Sequence, residues 1–228
     1  MSRLKQIYNV LLKEHGHQGW WPVKSDEDAK AQYHKTDYSF PGNEEQAFEI
    51  MAGAILTQNT SWKNVEKALN NLRQKNALNP GAIKKLEINK LAELIKPSGY
   101  HNQKAKKLKF FVEFYFSGNE FTRKNLLGVW GIGPETADSI LLYALKKPYF
   151  VVDAYTKRIF SRVGLCRIDD KYEDIQRLFH DNLIKDYKLF NEYHALIVEH
   201  AKVCCRKKES KAGCIIRRII AILTDKIY

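Results

Sequence analysis

The chain has 228 residues, 44% of them hydrophobic and 12% aromatic, which is enough apolar material for a packed core and excludes an intrinsically disordered chain. Charged residues break every apolar run short of the ~18 residues that a membrane-spanning helix needs, and residues 1–16 carry no signal-peptide cleavage pattern. The net charge of +12 at pH 7 points instead to a polyanionic partner, most commonly nucleic acid, and to a cytoplasmic protein with no membrane partner.

Helical periodicity recurs along most of the chain. Leu4, Ile7, Tyr8, Leu11 and Leu12 fall at the spacing of one helix face, as do Phe48, Met51, Ala52, Ile55 and Leu56. Val65, Ala68, Leu69 and Leu72 continue the pattern, with Thr60 or Ser61 as the N-cap. Further helices are expected over 103–116, 135–145, 172–183, 192–203 and 215–223. Breaks are expected at 16–42, Asn79-Pro80-Gly81, Pro97-Ser98-Gly99, 128–134 and Lys146-Lys147-Pro148. Alternating β-branched runs are almost absent, and Val151-Val152 is too short to argue for a strand, so the class is all-α. Two basic clusters stand out, Gln103 to Lys109 and Arg206 to Lys211, and each reads equally well as a solvated helix face.

The segment Leu127-Gly-Val-Trp-Gly-Ile-Gly-Pro-Glu-Thr-Ala is the most informative. Gly131, Ile132 and Gly133 make a tight turn, and Pro134 sits at the first position of the next helix. Such a turn exposes backbone N–H groups to a phosphate with no side chain in the way, although any helical hairpin can use the same glycines. Twenty residues on, Asp153 comes after Phe150-Val-Val and precedes a helix. It reads either as an N-cap or as a partly desolvated carboxylate facing the ligand of the hairpin.

In combination these motifs resemble the helix-hairpin-helix (endonuclease III superfamily) DNA glycosylases. The resemblance rests on the Gly131–Gly133 hairpin, Val151-Val-Asp153 with Arg158, Ile55-Leu-Thr-Gln58-Asn-Thr60, Ile95 to Ala105 and His194-Ala-Leu-Ile197, in the family order over residues 48–214. It implies a two-lobed helical HhH-GPD fold with the active-site cleft between the lobes. Residues 42–147 would form one lobe, and 1–41 plus 148–228 the other.

Two departures narrow the expected function. Lyase members of the family carry a lysine two residues after the last hairpin glycine, and here that position is Glu135, which cannot form an imine with the sugar. The iron–sulfur cluster of many relatives uses Cys-x6-Cys-x2-Cys-x5-Cys. Counted from Cys204, those positions are Lys211, Cys214 and Ile220, so the ligand set is incomplete and no cofactor is expected. A zinc site from Cys204, Cys205, Cys214 and His200 does not match usual spacing, and no metal is expected.

The third distinctive feature is Gly19-Trp20-Trp21-Pro22, which is either a loop tucking aromatics into the core or a stacking wall for a flipped base. A cationic alkylated purine would suit an aromatic wall. With Glu135 and the missing cluster ligands, the chain is most similar to the bacterial type III 3-methyladenine DNA glycosylases. The resemblance implies a monofunctional enzyme of base excision repair, monomeric and nucleoid-associated, acting on double-stranded DNA containing alkylated bases. Asp153 would stabilise the oxocarbenium-like sugar. Trp20, Trp21, Pro22, Phe48 and Glu135 would line the base pocket, although Glu135 also reads as a simple helix-start residue. Gln58 would fill the space left by the extruded nucleotide, and Gly131, Ile132, Gly133 and Arg158 would hold DNA, with a structural salt bridge as the plainer role for Arg158. The competing readings are a bifunctional, mismatch or oxidised-base glycosylase of the same superfamily, and a noncatalytic DNA-binding module.

Overall fold

The computed structural model describes residues 2–24 and 31–205. The helix expected over 215–223, the basic cluster 206–211 and Cys214 lie outside those residues. The described chain is all-α, and it contains no strand among the described residues. Eleven α-helices run in order among the described residues: α1 (Arg3–His15), α2 (Glu44–Leu56), α3 (Trp62–Gln74), α4 (Pro80–Lys85), α5 (Ile88–Leu94), α6 (His101–Tyr115), α7 (Arg123–Leu127), α8 (Pro134–Ser139), α9 (Ala154–Val163), α10 (Tyr172–Asn182) and α11 (Tyr187–Val203). No helix among them is long and apolar enough to cross a membrane.

The helix ends obey local chemistry. The side chains of Ser2, Asn43, Asn79, Thr122, Asp153 and Asp186 each accept a hydrogen bond from a backbone N–H in the first turn of the next helix. At Asn79-Pro80-Gly81 the sequence suggested a break, and the structure starts α4 there, because Asn79 caps Ala82 at 2.7 Å and Pro80 occupies the first turn. Ser61 holds the N-cap position of α3 without a side-chain cap bond. The single helix expected over 135–145 is instead α8 and then a π-helical turn, Ile140–Ala144, closed by Leu145 N–H to the Ile140 carbonyl at 3.2 Å. Just before that turn, Ser139 Oγ donates to the Glu135 carbonyl at 2.7 Å, a back-bond that competes with the helical ladder.

The chain forms two compact units. One draws its described residues from Val23–Gln32 and Ser39–Lys146, the other from Met1–Pro22, Tyr33–Tyr38 and Lys147–Tyr228. The limits expected from sequence, 42–147 against 1–41 plus 148–228, differ from these at 23–32, 39–41 and 147.

In the first unit, α2 is the central element. Every residue from Phe48 to Leu56 is buried, and the helix packs against α3, α6, α8 and the π turn. Its composition explains this, since a helix apolar on most faces is stable only when surrounded, and its buried carboxylate, Glu49, is paired with Arg73 of α3. Lys104 is buried beside its C-terminal end and donates to the carbonyls of Leu56 (2.8 Å) and Ser98 (2.7 Å), joining α2 to the short 3-10 turn that precedes α6. Burial first, and the charge of Lys107 second, push the Lys104 ammonium down to about 8.

In the second unit α11 packs against α1 and α9 over an aromatic core. Phe150 and Phe179 stack at 3.6 Å between ring centres, and Phe160, Phe190 and Tyr193 meet them edge-on. The Tyr193 hydroxyl donates to the Leu4 carbonyl at 2.8 Å, so its one polar atom is satisfied inside the core.

Candidate functional site

The hairpin belongs to the first unit. Residues 128–133 join α7 to α8, and Arg123 on α7 clamps the fully buried Asp138 on α8 through two bonds, Nε to Oδ1 at 2.8 Å and Nη2 to Oδ2 at 3.2 Å. This bidentate pair fixes the hairpin from beneath. Gly131 has φ +85°, and a Cβ there would lie 2.5 Å from Cγ of Lys107. Only glycine fits both demands. Gly133 is exposed and holds the N-cap position of α8, with Pro134 in the first turn.

Gln58, at the end of α2, is brought to this hairpin. Its Nε2 donates to the Gly131 carbonyl (3.1 Å) and to Thr136 Oγ1 (2.9 Å), while its Oε1 accepts from Lys107 Nζ. The amide is therefore a brace within the hairpin in this structure. Lys107, which in the sequence is one member of a general basic cluster, supports the same turn with its stem and its charge. Ile132 is buried beneath the turn and its N–H donates to the Val129 carbonyl at 3.0 Å, so, against the expectation from sequence, this amide is not available to a phosphate; Glu135 is exposed in the first turn of α8. Phe48 is 1% exposed and held within an aromatic cluster with Phe111 and Tyr115.

The carboxylate belongs to the second unit. Asp153 is the N-cap of α9, its Oδ1 accepting from the Thr156 N–H (2.7 Å) and Oγ1 (2.9 Å). That leaves Oδ2, which lies 3.6 Å from Nε2 of His194 on α11. The N-cap role that the sequence suggests for Asp153 is thus filled by Oδ1 alone. Burial works to raise its pKa, but the proximity of His194 and the Thr156 donors outweigh it and hold the carboxyl below its ordinary value. Arg158, one turn further along α9, donates from Nε to the Cys205 carbonyl at 2.9 Å and lies over the Tyr155 ring.

The aromatic loop lies in the second unit as well. Trp21 and Pro22 are buried, whereas Trp20 is half-buried, its ring 5.0 Å from that of Trp21 and 6.0 Å from that of Tyr33. A Cβ on Gly19 would sit 2.5 Å from the Lys35 backbone nitrogen, so glycine permits segment 33–38 to pass against the loop. The loop is pinned by a residue that sequence reasoning missed. The buried Glu192 of α11 accepts from the Gln18 N–H (2.7 Å) and the Tyr38 hydroxyl (2.8 Å), with His17 Nδ1 at 3.3 Å. The available signal was a glutamate flanking the apolar stretch Tyr193 to Val198, where a charge is tolerated only with partners.

Cys204 and Cys205 end α11. Cys205 is buried, and its Sγ accepts from Arg162 Nη1 at 2.7 Å. Counted from Cys204, Lys211 and Ile220 stand at two of the four ligand positions, so the residues do not fit a four-thiolate cluster in the family spacing.

Residues 52–184 match the HhH-GPD superfamily of base excision DNA repair proteins. The chain belongs to this family. It is 46% identical over 225 residues to a Methanocaldococcus jannaschii protein provisionally assigned as a DNA repair glycosylase, covering 93% of each chain. An endonuclease III of Sulfolobus acidocaldarius is 28% identical over 194 residues, which cover 82% of this chain and 86% of that one. Among solved structures, the Helicobacter pylori 3-methyladenine DNA glycosylase bound to 1,N6-ethenoadenine superposes with a TM-score of 0.68 at 29% identity, covering 89% of this chain and 98% of that one. The protein is thus an HhH-GPD DNA glycosylase of base excision repair, and the hairpin, the Asp153 carboxylate and the aromatic loop are its candidate functional parts.

Proposed function

We propose that this family member is a monofunctional N-glycosylase that hydrolyses the glycosidic bond of alkylated purines, 3-methyladenine among them. The observation that carries the single activity is Glu135. It stands exposed in the first turn of α8, where the resemblance places the lysine of lyase members, and a carboxylate cannot become an imine. Asp153 is the proposed catalytic residue. Its Oδ2, kept ionised by its surroundings, stabilises positive charge developing on the sugar and orients water, while Oδ1 keeps the side chain in place. A cationic alkylated base leaves readily, so no second carboxylate is needed to protonate it. The Gly131 and Gly133 amides hold phosphate, Gln58 braces the turn that presents them, Arg158 serves DNA contact, and Trp20 offers its half-buried ring to the base. Likeness to the Helicobacter pylori 3-methyladenine enzyme supports the alkylpurine assignment.

A second reading has its own support. The Sulfolobus relative is an endonuclease III, and a substrate of that enzyme's kind, an oxidised or mismatched base, would use the same hairpin and carboxylate. The test is chromatography of the bases released from methylated and from oxidised duplex DNA, with strand integrity monitored before and after alkali. Release of 3-methyladenine with strands intact until alkali supports the first reading. Oxidised pyrimidines alone would establish the second, and strand nicking without alkali would overturn the single-activity assignment.

A further inference from the structure

The hairpin carries an exposed indole that none of the roles above uses. Trp130, immediately before Gly131, is 52% exposed, and the other three tryptophans of the chain are buried or half-buried. Its ring lies 5.4 Å from that of Phe110 on α6, itself 45% exposed. An aromatic pair open to water beside the glycine turn is a surface suited to a ligand, since large apolar side chains are costly to leave exposed together.

The surrounding charge indicates the ligand. Lys106 and Lys107 precede Phe110 by four and three residues on α6 and so share its side of the helix, Lys106 exposed and Lys107 bonded to Gln58; Glu113 is the acidic neighbour one turn on. A mainly cationic rim around aromatic rings suits a sugar–phosphate chain better than a protein surface. We infer that Trp130 and Phe110 form a ledge that packs against the deoxyribose next to the phosphate held by the hairpin, lengthening the DNA footprint without reading sequence. This rests on the assignment of the hairpin to DNA. Within a duplex the bases are stacked away, so the sugar face is the apolar surface that such a ledge can reach.

The test uses the full chain and an undamaged duplex. Acrylamide quenching of tryptophan emission should fall on saturation with DNA in the wild type, and Trp130→Phe should abolish that protection. Trp130→Ala and Phe110→Ala should each weaken binding about five- to tenfold, the loss expected for ~50 Å2 of apolar surface, with the slope of log K against log salt unchanged. Lys106→Ala should instead flatten that slope, because a phosphate contact releases counterions and an apolar one does not. Undiminished quenching at saturation, with Trp130→Ala binding within twofold of wild type, would overturn the inference and leave the ledge to a protein partner. Failure of the wild type to bind duplex DNA at all would remove the hairpin reading as well, a result distinguishable from the first.

Discussion

Nε2 of His194 lies 3.6 Å from Oδ2 of Asp153, and the two side chains reach each other from α11 and from the N-cap of α9. The oxygen facing the histidine is the one that capping leaves available. Asp153→Asn should keep much of the cap and lower base release by about two to four orders of magnitude, the range for loss of a positioned catalytic group. His194→Gln should act on pH dependence: without the histidine, burial dominates, the Asp153 pKa rises, and the acid limb of kcat/KM moves to higher pH. A profile superimposable on wild type would remove His194 from the mechanism.

The Glu192 contacts predict a different signature. Glu192→Ala leaves the Gln18 N–H and the Tyr38 hydroxyl without their buried acceptor, and about 1–3 kcal/mol per group sets the expected loss. Glu192→Gln retains an acceptor oxygen and should recover much of it. Urea denaturation of the three proteins separates these outcomes, and equal stability of the alanine variant and wild type would show that the loop does not depend on this residue.

Acid stability should depend on a pair that the proposed chemistry does not use. His15 Nε2 and His200 Nδ1 lie 3.0 Å apart where α1 meets α11. Burial first, and the charge of His15 second, push His200 down to about 4 from 6.5. A group with a depressed folded pKa binds protons more readily in the unfolded chain, so its contribution is intact above pH 6.5 and shrinks as pH falls toward 4. Thermal melts at about pH 7 and about pH 4.5, either side of that window, should show a smaller acid loss in His200→Gln than in wild type. An equal loss would assign acid sensitivity elsewhere.

Glu135→Lys tests the place of the missing amine. The residue is exposed, so the change should cost only about 0.3–1 kcal/mol from placing a cation at a helix N-terminus. Borohydride should trap no DNA adduct with wild type and a covalent adduct with the variant. Adduct formation by wild type would point to another lysine and restore the bifunctional reading.

The elements most legible in sequence were those with a single strong signal. The spacing of Leu4, Ile7, Tyr8 and Leu11 gave α1 directly, and all four are buried. Asp153 as an N-cap came from a carboxylate at the start of an amphipathic segment. The short helices α4, α5 and α7 were not separable, because five to seven residues complete too few turns to establish a period. Glu192 escaped, and His194 entered only within a family motif, for another reason: their partners Tyr38 and Asp153 are separated from them by long stretches of chain, and no local pattern encodes such pairings. Phe48 shows the converse limit, since its apolar periodicity correctly announced burial and said nothing of which aromatic neighbours it would meet.

The meeting of Gly131 with Lys107 links two distant positions in the range of sequences this fold can tolerate. The stem of Lys107 occupies the volume that any side chain at 131 would enter, and its ammonium is committed to Gln58. Shortening Lys107 would open space at 131, but the φ of +85° would still exclude most L-residues, and Gln58 would lose its cation. Viable drift at these three sites is therefore concerted, and a homologue that dispenses with the lysine must find another way to hold its glutamine.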